Sequence, residues 1–142
     1  MKRILFIDDS SSAIQLADTI ADNGYDVHCV TNLCDAEYRL LDEPGADNYD
    51  IIILDLDMKI TDLPNELHNE AKITYAGWVF YLHIISKYPS LYKKTIIYTG
   101  YAHDFMSKIE TEKRKFIYLL DKGTADIVNK TLILLNEINK EY

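Results

Sequence analysis

The chain has 142 residues, enough for one domain that buries roughly two-thirds of its unfolded surface without disulfides or metal. Hydrophobic residues make up 48% and charged residues 27%, and a net charge of −8 argues against sequence-independent binding to nucleic acid or an anionic membrane. No apolar run approaches the ~20 residues of a membrane helix, and the run 4–7 stops at Asp8-Asp9, too short for a signal peptide; a cytoplasmic protein is expected.

In chain order, residues 2–7 (KRILFI) form an apolar run ending in acid, as a buried strand of a parallel sheet does. Ser10, Ser11 and Ser12 offer N-caps, with Ile14, Leu16, Ala17, Ile20 and Ala21 following at helical spacing until Gly24. Residues 25–31 (YDVHCVT) read as a second strand, and a helix from Asn32 or Asp35 runs to Leu41, broken by Glu43-Pro44-Gly45. Residues 49–56 (YDIIILDL) are apolar on both faces, which predicts a central strand. Residues 57–70 read as a polar loop containing Pro64, although the apolar Ile60, Leu63, Leu67 and Ile73 could pack it as a short helix. A helix over 70–87 follows, clearest from Ala76, with Trp78, Phe80, Tyr81 and Ile84 as its apolar positions and Pro89 closing it. Residues 94–99 (KTIIYT) give a fourth strand, 102–115 a charged helix, 116–121 a fifth strand and 124–139 a last amphipathic helix. Five strands alternating with five helices predict a three-layer α/β/α domain over residues 1–142, a parallel sheet with helices on both faces.

Ligands of such sheets bind at the carboxyl ends of the strands, so those ends hold the candidate chemistry. They carry Asp8-Asp9, then Asp55 and Asp57, then Thr99-Gly100, then Lys122-Gly123. Crowded carboxylates repel unless a cation neutralises them, and hard oxygen donors without histidine or thiolate suit Mg²⁺ or Mn²⁺. A lysine and a hydroxyl opposite would face an anion bridging to that metal, and phosphoryl fits. Singly, these residues have bland readings: helix capping for Asp8-Asp9, a turn acid for Asp55, strand packing for Thr99, a solvated charge for Lys122. Four coincidences at four strand ends are harder to explain that way.

The segments ILFIDDS, YDIIILDLDM, TIIYTGY and YLLDKG, in this order through nearly the whole chain, resemble the receiver domain of two-component response regulators, the CheY-like family. The resemblance implies a flavodoxin-like doubly wound sheet of order 2-1-3-4-5. It implies Asp55 as phosphoacceptor, Asp8 and Asp9 as the Mg²⁺-holding acidic pair, and Asp57 as a metal ligand through its backbone carbonyl. Thr99 resembles the hydroxyl residue that bonds a phosphoryl oxygen, and Lys122 the lysine that pairs with the acceptor. The implied donor is a sensor histidine kinase or histidine phosphotransfer protein, and the output is a downstream protein target. Neither nucleic acid nor membrane is expected to bind directly. A receiver-like interaction module that is never phosphorylated is the alternative. Asp55-Leu56-Asp57 is also similar to the DxD of haloacid-dehalogenase-like phosphatases, but that family starts with DxD on its first strand, with Thr or Val two residues later where Lys59 stands.

Departures from the family pattern are specific. Asp55 and Thr99 lie 44 positions apart (99 − 55), and with Gly77 matching the glycine that opens the third helix of receivers, the excess falls in an extended loop at about 59–75, expected to cover part of the site. Lys59 and Gly123 replace frequent prolines, and Leu119 stands where many receivers carry a switch aromatic, with Tyr118 on the opposite face. The remaining polar features take bland readings. His28, His68, His83 and His103 are scattered, Lys108, Lys113, Arg114 and Lys115 read as a solvated basic face, and Cys29 and Cys34 read as small buried hydrophobes.

Overall fold

The structure is a computed structural model describing residues 1–42 and 45–141. Five strands, β1 (Arg3–Ile7), β2 (Asp26–Val30), β3 (Ile51–Leu54), β4 (Thr95–Thr99) and β5 (Tyr118–Asp121), form one sheet of order β2-β1-β3-β4-β5. Every pairing is parallel. The predicted α/β/α architecture and strand order are therefore present. β3 and β4 are wholly buried, as the uninterrupted apolar runs require.

Alternation along the strands splits the core into two layers. Ile4, Phe6, Ile51, Ile53, Ile96 and Tyr98 face α1 (Ser12–Asp22) and the last helix. Leu5, Ile7, Ile52, Leu54 and Ile97 face α2 (Leu33–Leu41) and the helices that follow β3. Those are α3 (His68–Ile73), α4 (Ala76–His83) and α5 (Pro89–Tyr92); α6 (Ala102–Lys108) and α7 (Thr111–Arg114) follow β4, and α8 (Ile127–Glu141) closes the order. Among the described residues no helix is long and apolar enough to cross a membrane.

The structure corrects several local expectations. The segment at 57–70 is not a plain loop: it holds single 3₁₀ turns at Ile60–Asp62 and Asn65–Leu67, and α3 begins at His68. The helix expected over 70–87 breaks at Thr74 and restarts after an extended Tyr75. The cause is Gly77, where a Cβ would lie 2.2 Å from the Asp55 carbonyl oxygen and 2.7 Å from Leu56 Cα. Only a glycine lets α4 start against the backbone at the end of β3. Pro89 opens α5 at its first turn instead of only ending the preceding helix. The helix expected over 102–115 is interrupted at Ile109, whose extended backbone turns the side chain into the core. The last helix starts at Ile127, after Asp126 at φ 60°.

The N-cap position of α1 is Ser11, whose side chain makes no capping bond, and Ser10 is committed to Asp8 instead. Asn32 does cap α2, accepting from the Asp35 N–H. The expected helix break at Glu43 and Pro44 lies outside the described residues. Cys29 and Cys34 are exposed rather than buried. Cys29 sits on the edge strand β2, and Cys34 lies between the inward-facing Leu33 and Ala36 of α2.

Candidate functional site

Asp8 follows β1 and Asp55 follows β3, each carried to the strand end by backbone bonds that extend the ladders: Asp8 N–H to the Val30 carbonyl at 3.1 Å, and Asp55 N–H to the Ile7 carbonyl at 2.9 Å. Both carboxylates are 4% exposed, while Asp9 is exposed. Asp8, Asp9 and Asp55 each offer a ligand oxygen, and these oxygens lie within 4.8 Å of one another. Lys122, just past β5, reaches this group: its Nζ is 2.8 Å from Asp8 Oδ2 and 3.1 Å from Asp55 Oδ2.

The remaining oxygens are fixed from the backbone. Asp8 Oδ1 accepts from the Ser10 N–H and hydroxyl, both at 2.8 Å, and Asp55 Oδ1 accepts from the Asp57 N–H at 3.2 Å. Asp8 Oδ2 is fully buried, and among the described residues its partner is the Lys122 ammonium at 2.8 Å. Three carboxylates against one ammonium leave an excess of negative charge on hard oxygen donors. That donor set fits Mg²⁺.

Burial first, then the charge of Asp8, pushes the Asp55 carboxyl up to about 6, against the pull of Lys122 and the Asp57 amide. Lys122 is itself driven down by burial but raised more strongly by Asp8 and Asp55, and the net direction is up.

Asp57 and Thr99 stand differently. The Asp57 side chain is exposed and lies outside the three-carboxylate group. Thr99 is fully buried at the end of β4, where its hydroxyl accepts from the Tyr101 N–H at 3.1 Å and its carbonyl accepts from the Lys122 N–H at 2.9 Å. Among the described residues no hydrogen bond joins Thr99 to Asp55. Sequence reasoning missed two neighbours. Ser10 anchors Asp8, a role the DDS run permitted but capping preference obscured. The Tyr98 ring lies under the Lys122 ammonium, 5.0 Å from Nζ to centroid, legible only from strand parity.

The extended segment borders this rim. Lys59 and Asp62 line a cavity of about 420 Å³ together with Asp9, Thr31 and Asn32. A cavity of about 470 Å³ lies away from the carboxylates, between α4 and the α6–α7 region, over Trp78, Leu82 and Ile109. At its far end the segment is tied down: the Tyr75 hydroxyl donates to Asp104, and its ring packs against Tyr101 and Phe105 at 6.0 and 6.4 Å.

No protein-family model matches the chain, and no curated protein sequence matches it. Solved structures do. The response regulator TrrA of Thermotoga maritima, crystallised in complex with Mg²⁺-BeF, is 24% identical, with a TM-score of 0.62 over 95% of this chain and 99% of that one. A response regulator receiver domain protein of Clostridium thermocellum is 18% identical, with a TM-score of 0.67 over 99% and 97%. The chemotaxis protein CheY4 of Vibrio cholerae is 21% identical, with a TM-score of 0.63 over 97% and 98%. At these identities the likeness is one of fold, and it spans nearly the whole length of each chain. The protein has the doubly wound fold of the CheY-like response regulator receiver domains.

Proposed function

We propose that this chain is a phosphoacceptor receiver: a phosphoryl group passes from a phosphohistidine donor to Asp55 in a Mg²⁺-dependent step, and the product switches contacts with a protein partner. The observation that carries this reading is the convergence of Asp8, Asp9 and Asp55 within 4.8 Å at the strand ends, with Lys122 paired to two of them. Asp8 and Asp9 would hold the ion with Asp55 and the Asp57 carbonyl. When bound, it would supply positive charge to a phosphoryl oxygen.

The protein's own groups do the remaining work. Burial strips Asp55 of water, and the Asp57 amide holds one of its oxygens, leaving the other to attack phosphorus as Lys122 moves from it to a phosphoryl oxygen. The P–O bond forms as the P–N bond to the donor imidazole breaks, and the electron pair leaves with the imidazole. The Thr99 hydroxyl accepts from the Tyr101 amide, which leaves its own proton to donate to a phosphoryl oxygen. Hydrolysis of the acyl phosphate restores the resting state, so the chain catalyses its own phosphorylation and dephosphorylation without turning over an external substrate. Its donors are a sensor histidine kinase or a histidine phosphotransfer protein. The phosphatase reading needs the DxD pair on a first strand, whereas Asp55 and Asp57 follow β3.

Acetyl phosphate labelling followed on Phos-tag gels tests this. Wild type is expected to shift with Mg²⁺ and not with EDTA, Asp55→Asn to show no shift, and Asp57→Asn to keep one. Labelling of Asp55→Asn at the wild-type level overturns the assignment. Absence of labelling together with absence of beryllofluoride binding leaves the unphosphorylated interaction module.

A further inference from the structure

Lys122 is remote, in strand terms, from the groups it pairs with. In the order β1-β3-β4-β5 a whole strand separates it from Asp55, and two separate it from Asp8. Strands lie about 4.8 Å apart, so the ammonium bridges backbones roughly 10 and 14 Å away. What lies beneath that span is set by register. Phe6, Ile53 and Ile96 form one row across β1, β3 and β4, and Tyr98 pairs with Leu120. Two residues further along, the same face carries Asp8, Asp55 and Tyr98 in a row, with Lys122 two beyond Leu120. Tyr98 thus stands on the strand between acceptor and lysine.

We propose that Tyr98 is a positioning residue for Lys122: its buried ring is a fixed platform that carries the ammonium over β4 and holds it between Asp8 and Asp55. The Lys122 Nζ lies over the ring at 5.0 Å, within cation–π range. The ring is itself buried, 7% exposed and braced edge-on by the fully buried Phe6, with centroids 6.0 Å apart at 86°. The backbone contacts of the turn stop short of this. The Lys122 N–H bonds to Thr99 and the Gly123 N–H to Asp121 Oδ1, fixing the peptide but not the four-carbon stem. The Tyr98 hydroxyl makes no hydrogen bond to a described residue, so the ring and not the phenol is the working part.

The idea rests on the proposed phosphoryl transfer for one of its three readouts only. The first is the Lys122 ε-methylene resonance, which ring current should move upfield of the exposed lysines in wild type and in Tyr98→Phe, and which should return to the common position in Tyr98→Leu. The second is the initial rate of labelling by acetyl phosphate at saturating Mg²⁺, expected to fall about tenfold in Tyr98→Leu and to stay within about twofold in Tyr98→Phe. Mg²⁺ affinity in Tyr98→Leu is expected at or above wild type, which general damage to the site would not give. An unshifted Lys122 in wild type overturns the proposal without any variant, and so does a wild-type labelling rate in Tyr98→Leu. If Tyr98→Leu fails to fold, Tyr98→Met serves as the ringless variant. A wild type that accepts no phosphate, with the resonance shifted as described, defeats the phosphoryl reading and leaves the platform standing.

Discussion

Asp55 holds a charge in a place that resists it. Its carboxyl rises from 3.8 to about 6 on folding, so the unfolded chain releases the proton first as pH increases. The sign follows: below about pH 4 both states are protonated and nothing is lost, stability declines between about 4 and 6, and the penalty is constant above. A shift of about two units caps that penalty at about 3 kcal/mol. Asp55→Asn should therefore stabilise the metal-free protein at pH 7 by about 2 kcal/mol, and by nearly nothing at pH 4, measured by urea denaturation in EDTA. Equal gains at both pH values would show that the benefit is not electrostatic. The acids at the strand ends and the distant lysine were legible in the sequence because parallel sheets gather such ends. Ser10 and Tyr98 were missed, because capping preference obscured the first and only strand parity, not any motif, pointed to the second. The cysteines misled for a related reason: composition favours burial of Cys, but Cys29 lies on an edge strand and Cys34 on the outward side of α2.

At the scale of elements, the segment between β3 and α4 departs furthest from expectation. Composition and Pro64 indicated a loop, yet Leu63 and Ala71 are buried at 4% and 3%, and Ile60 and Leu67 pack against the core. Tertiary burial organised what local pattern left blank, and the one apolar residue that failed to pack, Ile73, is 76% exposed. Replacing residues 60–71 with a Gly-Ser bridge removes core as well as surface. The expected outcome is a folded protein weakened by about 3 kcal/mol in urea, the burial of one to two aliphatic side chains. Because Lys59 and Asp62 line the cavity beside Asp9, its labelling rate by acetyl phosphate should also differ several-fold. An unchanged rate would make the segment a packing element with no part in access. Helix α4 permits a sharper test. Gly77→Ala places a methyl group against backbone that cannot retreat, and should cost about 3 kcal/mol with weakened Mg²⁺ binding, since the obstructed atom is the carbonyl of Asp55.

For the molecule as a whole, the layered parallel sheet was readable from alternation and its strand order from the resemblance that four strand-end motifs carry, whereas helix ends were not, because the start of α4 and the end of α6 answer to packing. A ligand that binds only the folded chain raises its stability by mass action. Mg²⁺ with beryllofluoride should thus raise the midpoint of thermal unfolding by several degrees more than either alone, and the added increment should vanish in Asp55→Asn. With the half-buried Leu119 of β5 packed against the second core layer, the accompanying rearrangement should centre on Tyr101, which is 49% exposed and has its ring tilted against Tyr75. Chemical shifts with and without beryllofluoride would report it, and large changes confined to Leu119 would contradict it.

The Gly77 N–H bonds to the Leu56 carbonyl at 3.1 Å, so the chain leaves the sheet and returns to it at nearly the same point. Between those residues the chain makes a closed excursion, tied to the site by the Asp57 N–H on Asp55 and to the core by Leu63 and Ala71. Closure entropy grows only with the logarithm of length, about 0.6 kcal/mol for each doubling. The part between Lys59 and Tyr75 can consequently change length at little entropic cost, provided the core packing of Leu63 and Ala71 is replaced. A protein engineer can use the same two anchor points to graft a recognition peptide beside the rim.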